Sequence, residues 1–171
     1  VLISRWYAEC YLLTMCYARP GADQFATIVK RAFSLFPILN LPAGLPLIGD
    51  VSPDCPPSHL DGLLKGTFES GWTGELSPSD QVRVRELFPK DVDRPDWFET
   101  KDGWWQLKGD SWSVAGFASP TGWAPMPGHG HQDFGGFELQ HDNERIFVDP
   151  GRSSYGASGR SFLTADAHNT R

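Results

Sequence analysis

Cysteine is scarce in this chain, with three in 171 residues. Cys10, Cys16 and Cys55 form no C-x-x-C motif and their number is odd, so neither a disulfide framework nor a thiolate zinc site is indicated. Positive charge is also short: 15 Lys and Arg stand against 21 Asp and Glu, a formal net charge of −6. That balance argues against nucleic acid as a partner, because neutralising phosphate takes clustered Lys and Arg. It leaves room for a local basic cleft that holds an acidic sugar polymer. No apolar run is long enough to span a membrane, and no charged-then-apolar leader opens the sequence. The chain starts at Val1 within a helical pattern and stops at "AHNTR", so it reads as a piece of a longer protein. Internal repeats and low-complexity tracts are absent too. What remains is 40% apolar and 13% aromatic residues, enough for a packed core.

The periodicity changes along the chain. Leu2, Ile3, Trp6, Tyr7, Cys10, Leu13 and Tyr17 recur at steps of three and four, which predicts an amphipathic helix stopped by Pro20-Gly21. Asp23 is a candidate N-cap for a second helix running through Phe25, Ile28, Val29, Ala32, Phe33 and Phe36 to Pro37, and the two would form an antiparallel hairpin. Tyr7 and Tyr11 on the first helix are expected to pack. "NLPAGLPLIGDVSPDCPPS" is rich in Pro and Gly and reads as irregular backbone between two kinds of structure. Short helices are expected at His59–Leu64 and Pro78–Leu87, the latter capped by Ser77. After Asp96 the period shortens to that of strands, with hairpin signals at Asp102-Gly103, Gly109-Asp110 and "HDNE". Helices followed by an antiparallel sheet read as α+β, or as an all-α domain followed by a β-sandwich. The boundaries fall at 1–40 for the helices, 41–95 for a linker with short helices, and 96–171 for the start of the sheet domain.

The stretch "GHGHQDFGGFELQHDNERIFVDPG" concentrates the chemistry. His129 and His131 are two residues apart, so in an extended strand both imidazoles share a face. Asp149 ends the facing strand of the next hairpin, and His168 follows in "DAHNT". Two imidazoles and a carboxylate with a fourth position open suit zinc, and they also suit other borderline metals. H-x-H alone is common, and Asp149 could simply cap its Pro-Gly turn. Asp133 could orient an imidazole from behind. His59 and His141 lie beside loops and read as solvated. Of the seven tryptophans, including Trp104, Trp105, Trp112 and Trp123, most are expected to fill the sheet domain, with sugar stacking as the alternative.

Gly128, His129, His131, Asp133, Asp149-Pro150-Gly151, Tyr155, Arg160 and His168-Asn169-Thr170, in that order, resemble the heparinase II/III family of polysaccharide lyases, which includes oligoalginate lyases. "GLPLIGDVSPD" resembles the P-x-x-G-D segment of the same family. The resemblance implies the last helices of an (α/α) toroid followed by an antiparallel β-sandwich. It implies that His129 lines the cleft and helps catalysis, and that His131, Asp149 and His168 bind zinc, with calcium used in some branches. Tyr155 and Arg160 become candidate substrate contacts, although either could serve packing. The implied substrate is a uronate-containing acidic glycan of heparin or alginate type, cleaved by β-elimination in a periplasmic or secreted protein, with a homodimer as a further expectation. The family's Tyr-His element has no counterpart in this chain, so catalysis by these residues alone is not expected. Two rival readings are a zinc-dependent hydrolase acting on glycans and a non-catalytic glycan-binding sandwich.

Overall fold

A computed structural model describes residues 2–48, 57–90, 95–118, 134–151 and 164–169. These residues fall into two compact units, one made from 2–38 with 57–90 and the other from 39–48 with the residues from 95 onward. No helix among the described residues is long and apolar enough to cross a membrane.

The first unit is helical. Helix α1 (Leu2–Cys16) and helix α2 (Ala22–Phe33) form the expected antiparallel hairpin. The cap of α2 is Gly21 rather than Asp23. Gly21 has a φ of 102°, a conformation that glycine adopts without strain, and it turns the chain two residues early. Asp23 then falls in the first turn, where its carboxylate meets the positive end of the helix dipole. Helix α2 stops at Phe33, and a separate turn, α3 (Phe36–Leu39), takes Pro37 into its first turn, where a missing N–H costs nothing. A 3₁₀ turn (Pro57–Leu60) runs into α4 (Asp61–Leu64), and α5 (Gly71–Glu75) and α6 (Pro78–Leu87) follow. Helix α5, five residues long, is too short to leave a periodic signal and was not expected. Ser77 caps α6 as expected, its hydroxyl accepting the Asp80 N–H at 3.2 Å. The core centres on Phe33, which has no exposed surface. Its ring lies 5.3 Å from Phe36 and 5.9 Å from Phe88, and Phe88 meets Phe68 edge-on at 5.5 Å. Tyr7 sits 6.2 Å from Phe25 but remains 37% exposed, so it packs only on one side.

The second unit is a five-stranded antiparallel sheet in sequence order: β1 (Trp97–Glu99), β2 (Trp104–Lys108), β3 (Trp112–Phe117), β4 (Gly136–His141) and β5 (Glu144–Phe147). The strands turn where the Gly and Asp signals predict, and Asp142 takes a left-handed conformation in the last hairpin. Gly116 faces Trp105 across the β2–β3 ladder, and the indole lies where a side chain at 116 would be. Any larger residue there must evict the ring.

Alternation along β4 divides the sheet into two faces, and the buried face is the polar one. Gly136, Glu138 and Gln140 are buried, while Phe137 and Leu139 are only partly covered. In register with them, Ser113 and Ala115 of β3 and Gln106 of β2 are buried as well. The tryptophans correct the expectation that they fill this domain: Trp97 is 53% and Trp112 49% exposed, and Trp72, in the helical unit, is the well-buried one among those described.

The polar face explains how the stretch read as a linker is divided. Gln140 Oε1 accepts the Ala43 N–H at 2.8 Å, and Glu138 Oε1 accepts the Leu47 N–H at 2.7 Å. Arg145 donates to the Leu45 carbonyl at 2.9 Å and pairs with Glu138 Oε2 at 3.2 Å. Residues 41–48 are therefore strapped to the sheet by three side chains, while residues 57–90 carry Leu60, Leu63, Leu64 and Phe68 into the helical core.

Burial pushes the Glu138 carboxyl above its usual 4.5, against the lowering effect of the Leu47 N–H, Arg145 and the Asp149 N–H. With the folded value raised, the native state holds the proton more tightly than the unfolded chain. Stability therefore falls as pH rises from about 4.5 through the raised value and is level above it. Glu138→Gln is expected to flatten that fall in urea midpoints measured across pH. Glu138→Ala, which strips Arg145 and two backbone N–H groups of their acceptor, should cost about 3 kcal/mol at neutral pH. Gln106 differs from Glu138 because its side-chain N and O are buried without a hydrogen-bond partner among the described residues. Gln106→Leu is accordingly expected to be neutral or stabilising in the same measurement, since it removes polar atoms that gain nothing in the fold.

Candidate functional site

Strand β5 ends at Phe147, and the chain leaves the sheet through Val148 into Asp149-Pro150-Gly151. Asp149 Oδ1 accepts the Gly151 N–H at 2.9 Å, the local turn that an Asp-Pro-Gly sequence favours. The turn-capping role of Asp149 is thus real, and it fixes where the carboxylate points. Asp149 has no exposed surface.

His168 reaches the same place from 19 residues further on. A 3₁₀ turn (Ala165–Ala167) delivers it, with the His168 N–H donating to the Ala165 carbonyl at 3.0 Å. Its Nδ1 lies 3.0 Å from Asp149 Oδ1 and 2.9 Å from Oδ2, and neither side chain is exposed. Two ligands at zinc distances on a tetrahedral ion stand roughly 3.3 Å apart, so this spacing suits both a direct Nδ1–Oδ hydrogen bond and, with a shift of a few tenths of an ångström, joint ligation of one cation.

The charge around the pair points the same way. Glu138 accepts the Asp149 N–H, and the Asp149 carboxylate is among the groups that raise the Glu138 pKa. Two buried carboxyls thus stand close together, and Arg145 pairs with only one of them. The other faces His168, and an Asp–His donor set is of the kind that would suit zinc and similar borderline ions.

Of the residues singled out from sequence, Asp149 and His168 are brought into contact. His129, His131, Asp133, Tyr155 and Arg160 lie outside the described residues. Among the described residues, no group of three or more His, Cys, Asp and Glu is placed to hold a metal. Of the three ligands expected, Asp149 and His168 are in contact and His131 lies outside the described residues. The two histidines read as solvated have neighbours. His59 Nε2 lies 3.2 Å from Arg5 Nη1, and the His141 ring packs 4.4 Å from Trp112 with its side chain 41% exposed. Residues with no sequence-level signal of their own also contribute: Glu138, Gln140 and Arg145 hold the strand that leads to the site. The hint for the first two was polar residues alternating with Phe137 and Leu139, a pattern ordinarily read with the apolar phase inward.

Residues 92–170 match the family described as heparinase II/III-like, C-terminal. The segment belongs to that family. Both Asp149 and His168 lie inside the matched range of the heparinase II/III-like domain, as does the whole five-stranded sheet. No curated protein matches the chain.

His168→Ala leaves a buried carboxylate without its imidazole and is expected to destabilise this domain by about 3 kcal/mol. In a double-mutant cycle with Asp149→Ala, urea unfolding should show a coupling of roughly 1–3 kcal/mol, whereas independent sites would add.

Proposed function

We propose that the protein is a polysaccharide lyase that cleaves a uronate-containing acidic glycan, of heparin or alginate type, by β-elimination. The observation that carries this reading is the buried Asp149–His168 pair within a heparinase II/III-like domain. In this reading the helices at 2–39 are the last of an (α/α) toroid, and the sheet is one layer of a sandwich.

The chemistry sets the requirements. The C5 proton of a uronate becomes acidic only when the neighbouring carboxylate is neutralised by hydrogen bonds or positive charge. A base then takes the proton while the glycosidic oxygen leaves with help from an acid. His129 is the residue of this chain assigned to the reacting centre, as base or as stabiliser, and Tyr155 and Arg160 are assigned to substrate. Arg160 suits the uronate carboxylate, which a guanidinium grips through two parallel N–H bonds. His131, Asp149 and His168 would hold zinc, or calcium in its place. When bound, the cation would supply structural support to the segments that carry Asp149 and His168. The buried carboxyl of Asp149 favours such an ion, and the domain's place in a family of lyases favours elimination over hydrolysis. The remaining partners of the active site would come from toroid residues, and a periplasmic or secreted location fits a polymeric extracellular substrate.

The test is an ultraviolet assay of the full-length protein against a panel of uronate polysaccharides. Rising absorbance from a carbon–carbon double bond in the product, lost in His129→Ala, is the expected outcome. New reducing ends without that absorbance would replace the lyase with a glycan hydrolase, and binding with neither signal would leave a glycan-binding sandwich.

A further inference from the structure

We infer that Asn169 is the positioning residue that sets His168 against Asp149. The β4–β5 ladder pairs His141 with Glu144, Gln140 with Arg145 and Leu139 with Phe147, and no further β4–β5 pair follows. Beyond that last rung the strands part, and the carbonyls of Phe137 and Val148 face the gap. Asn169 closes it: its Nδ2 donates to the Phe137 carbonyl at 3.2 Å and to the Val148 carbonyl at 3.0 Å. One short side chain thus takes the place of the missing rung.

The positions of those two carbonyls give the contact its consequence. Phe137 immediately precedes Glu138, and Val148 immediately precedes Asp149, so Asn169 fixes the peptide planes from which both buried carboxyls spring. Asn169 also directly follows His168, whose ring meets Asp149 at 2.9 Å. Consecutive residues therefore grip one target twice, His168 at the carboxylate and Asn169 at the backbone just before it. The chemistry selects the residue type. A carboxamide carries two N–H donors on one nitrogen, serine carries one donor, and an aspartate of the same shape carries none and would set oxygen against two carbonyls.

The proposal deepens the cation reading of the same pair, and the experiment separates the two. In the full-length protein, ¹⁵N chemical shifts of the His168 ring report the Nδ1 contact with Asp149 in the metal-free state. Zinc chloride titrated against a competing chelator gives the affinity. Asn169→Asp is expected to alter the His168 ring signature and to weaken zinc by about 10- to 100-fold, the range for residues that orient metal ligands. Added negative charge by itself would tighten a cation, so weakening on this substitution reports lost geometry. Asn169→Ser, with one donor kept, should lie between and decides the matter if the Asp variant does not fold. An unchanged ring signature and unchanged zinc affinity in these variants, whatever their stability, would overturn the positioning role. A changed signature in a protein whose wild type binds neither zinc nor calcium would sustain the positioning role and sink the cation reading alone.

Discussion

A carboxylate taken out of water must find its hydrogen bonds inside the protein, and the second unit is organised around that demand at Glu138. With no exposed surface, Glu138 draws partners from three parts of the chain: the Leu47 N–H, the Arg145 guanidinium and the Asp149 N–H. Each bond fixes a segment that the sheet ladder alone would leave free. The first holds residues 41–48 on the sheet, the second sets the Arg145 guanidinium that also reaches the Leu45 carbonyl of that strap, and the third sets the start of the Asp149 turn. Desolvation outweighs the attraction of Arg145, since the net effect on the carboxyl is a raised pKa. The group therefore does more to specify an arrangement than to stabilise it, as expected of a buried ion pair whose desolvation exceeds its Coulombic gain.

The same demand recurs at Asp149, and the two answers are linked. Asp149 gives its backbone N–H to Glu138 and its carboxylate to His168 and Gly151. Glu138 lies mid-strand and can recruit an arginine from the neighbouring strand. Asp149 lies past the strand end, where the Gly151 N–H is its local partner and a distant segment brings the second, His168. That is why the loop at 164–169 is held here, and why its two contacting residues, His168 and Asn169, act on side chain and backbone in turn. Docking His168 on Asp149, at a strand end braced by buried polar bonds, ties the pair to the sheet.

Much of this architecture was legible in the sequence because it rests on local rules. Pro78 behind Ser77, the glycines at the hairpin turns and the shift from helical to strand periodicity each act over a few residues. The pairing of Asp149 with His168 was legible by a different route, through their place in a recognisable motif. What escaped was set by contacts distant in sequence. The buried phase of β4 belongs to Glu138 and Gln140 because residues 41–48, some 90 positions earlier, supply their partners. From β4 alone, Phe137 and Leu139 would point inward. Gly21 displaced Asp23 as a cap for a local reason, since its left-handed backbone turns the chain two residues before Asp23.

Reversal of the sheet's faces also bears on how the domain can be built. With the polar side of the sheet already engaged by the strap, the opposite side carries Trp97, Leu107, Trp112 and Phe147, each about half exposed. Trp97 and Trp105 stack with centroids 6.2 Å apart, and Trp112 leans on His141. A face that presents large apolar side chains from strand after strand is what one layer of a sandwich offers to another. The heparinase II/III-like sheet therefore divides its labour. Its polar face and strand ends carry charge, hydrogen bonds and the Asp149–His168 pair, and its apolar face is left for packing. A site placed at the edge of the polar layer can change its loops without disturbing that apolar face.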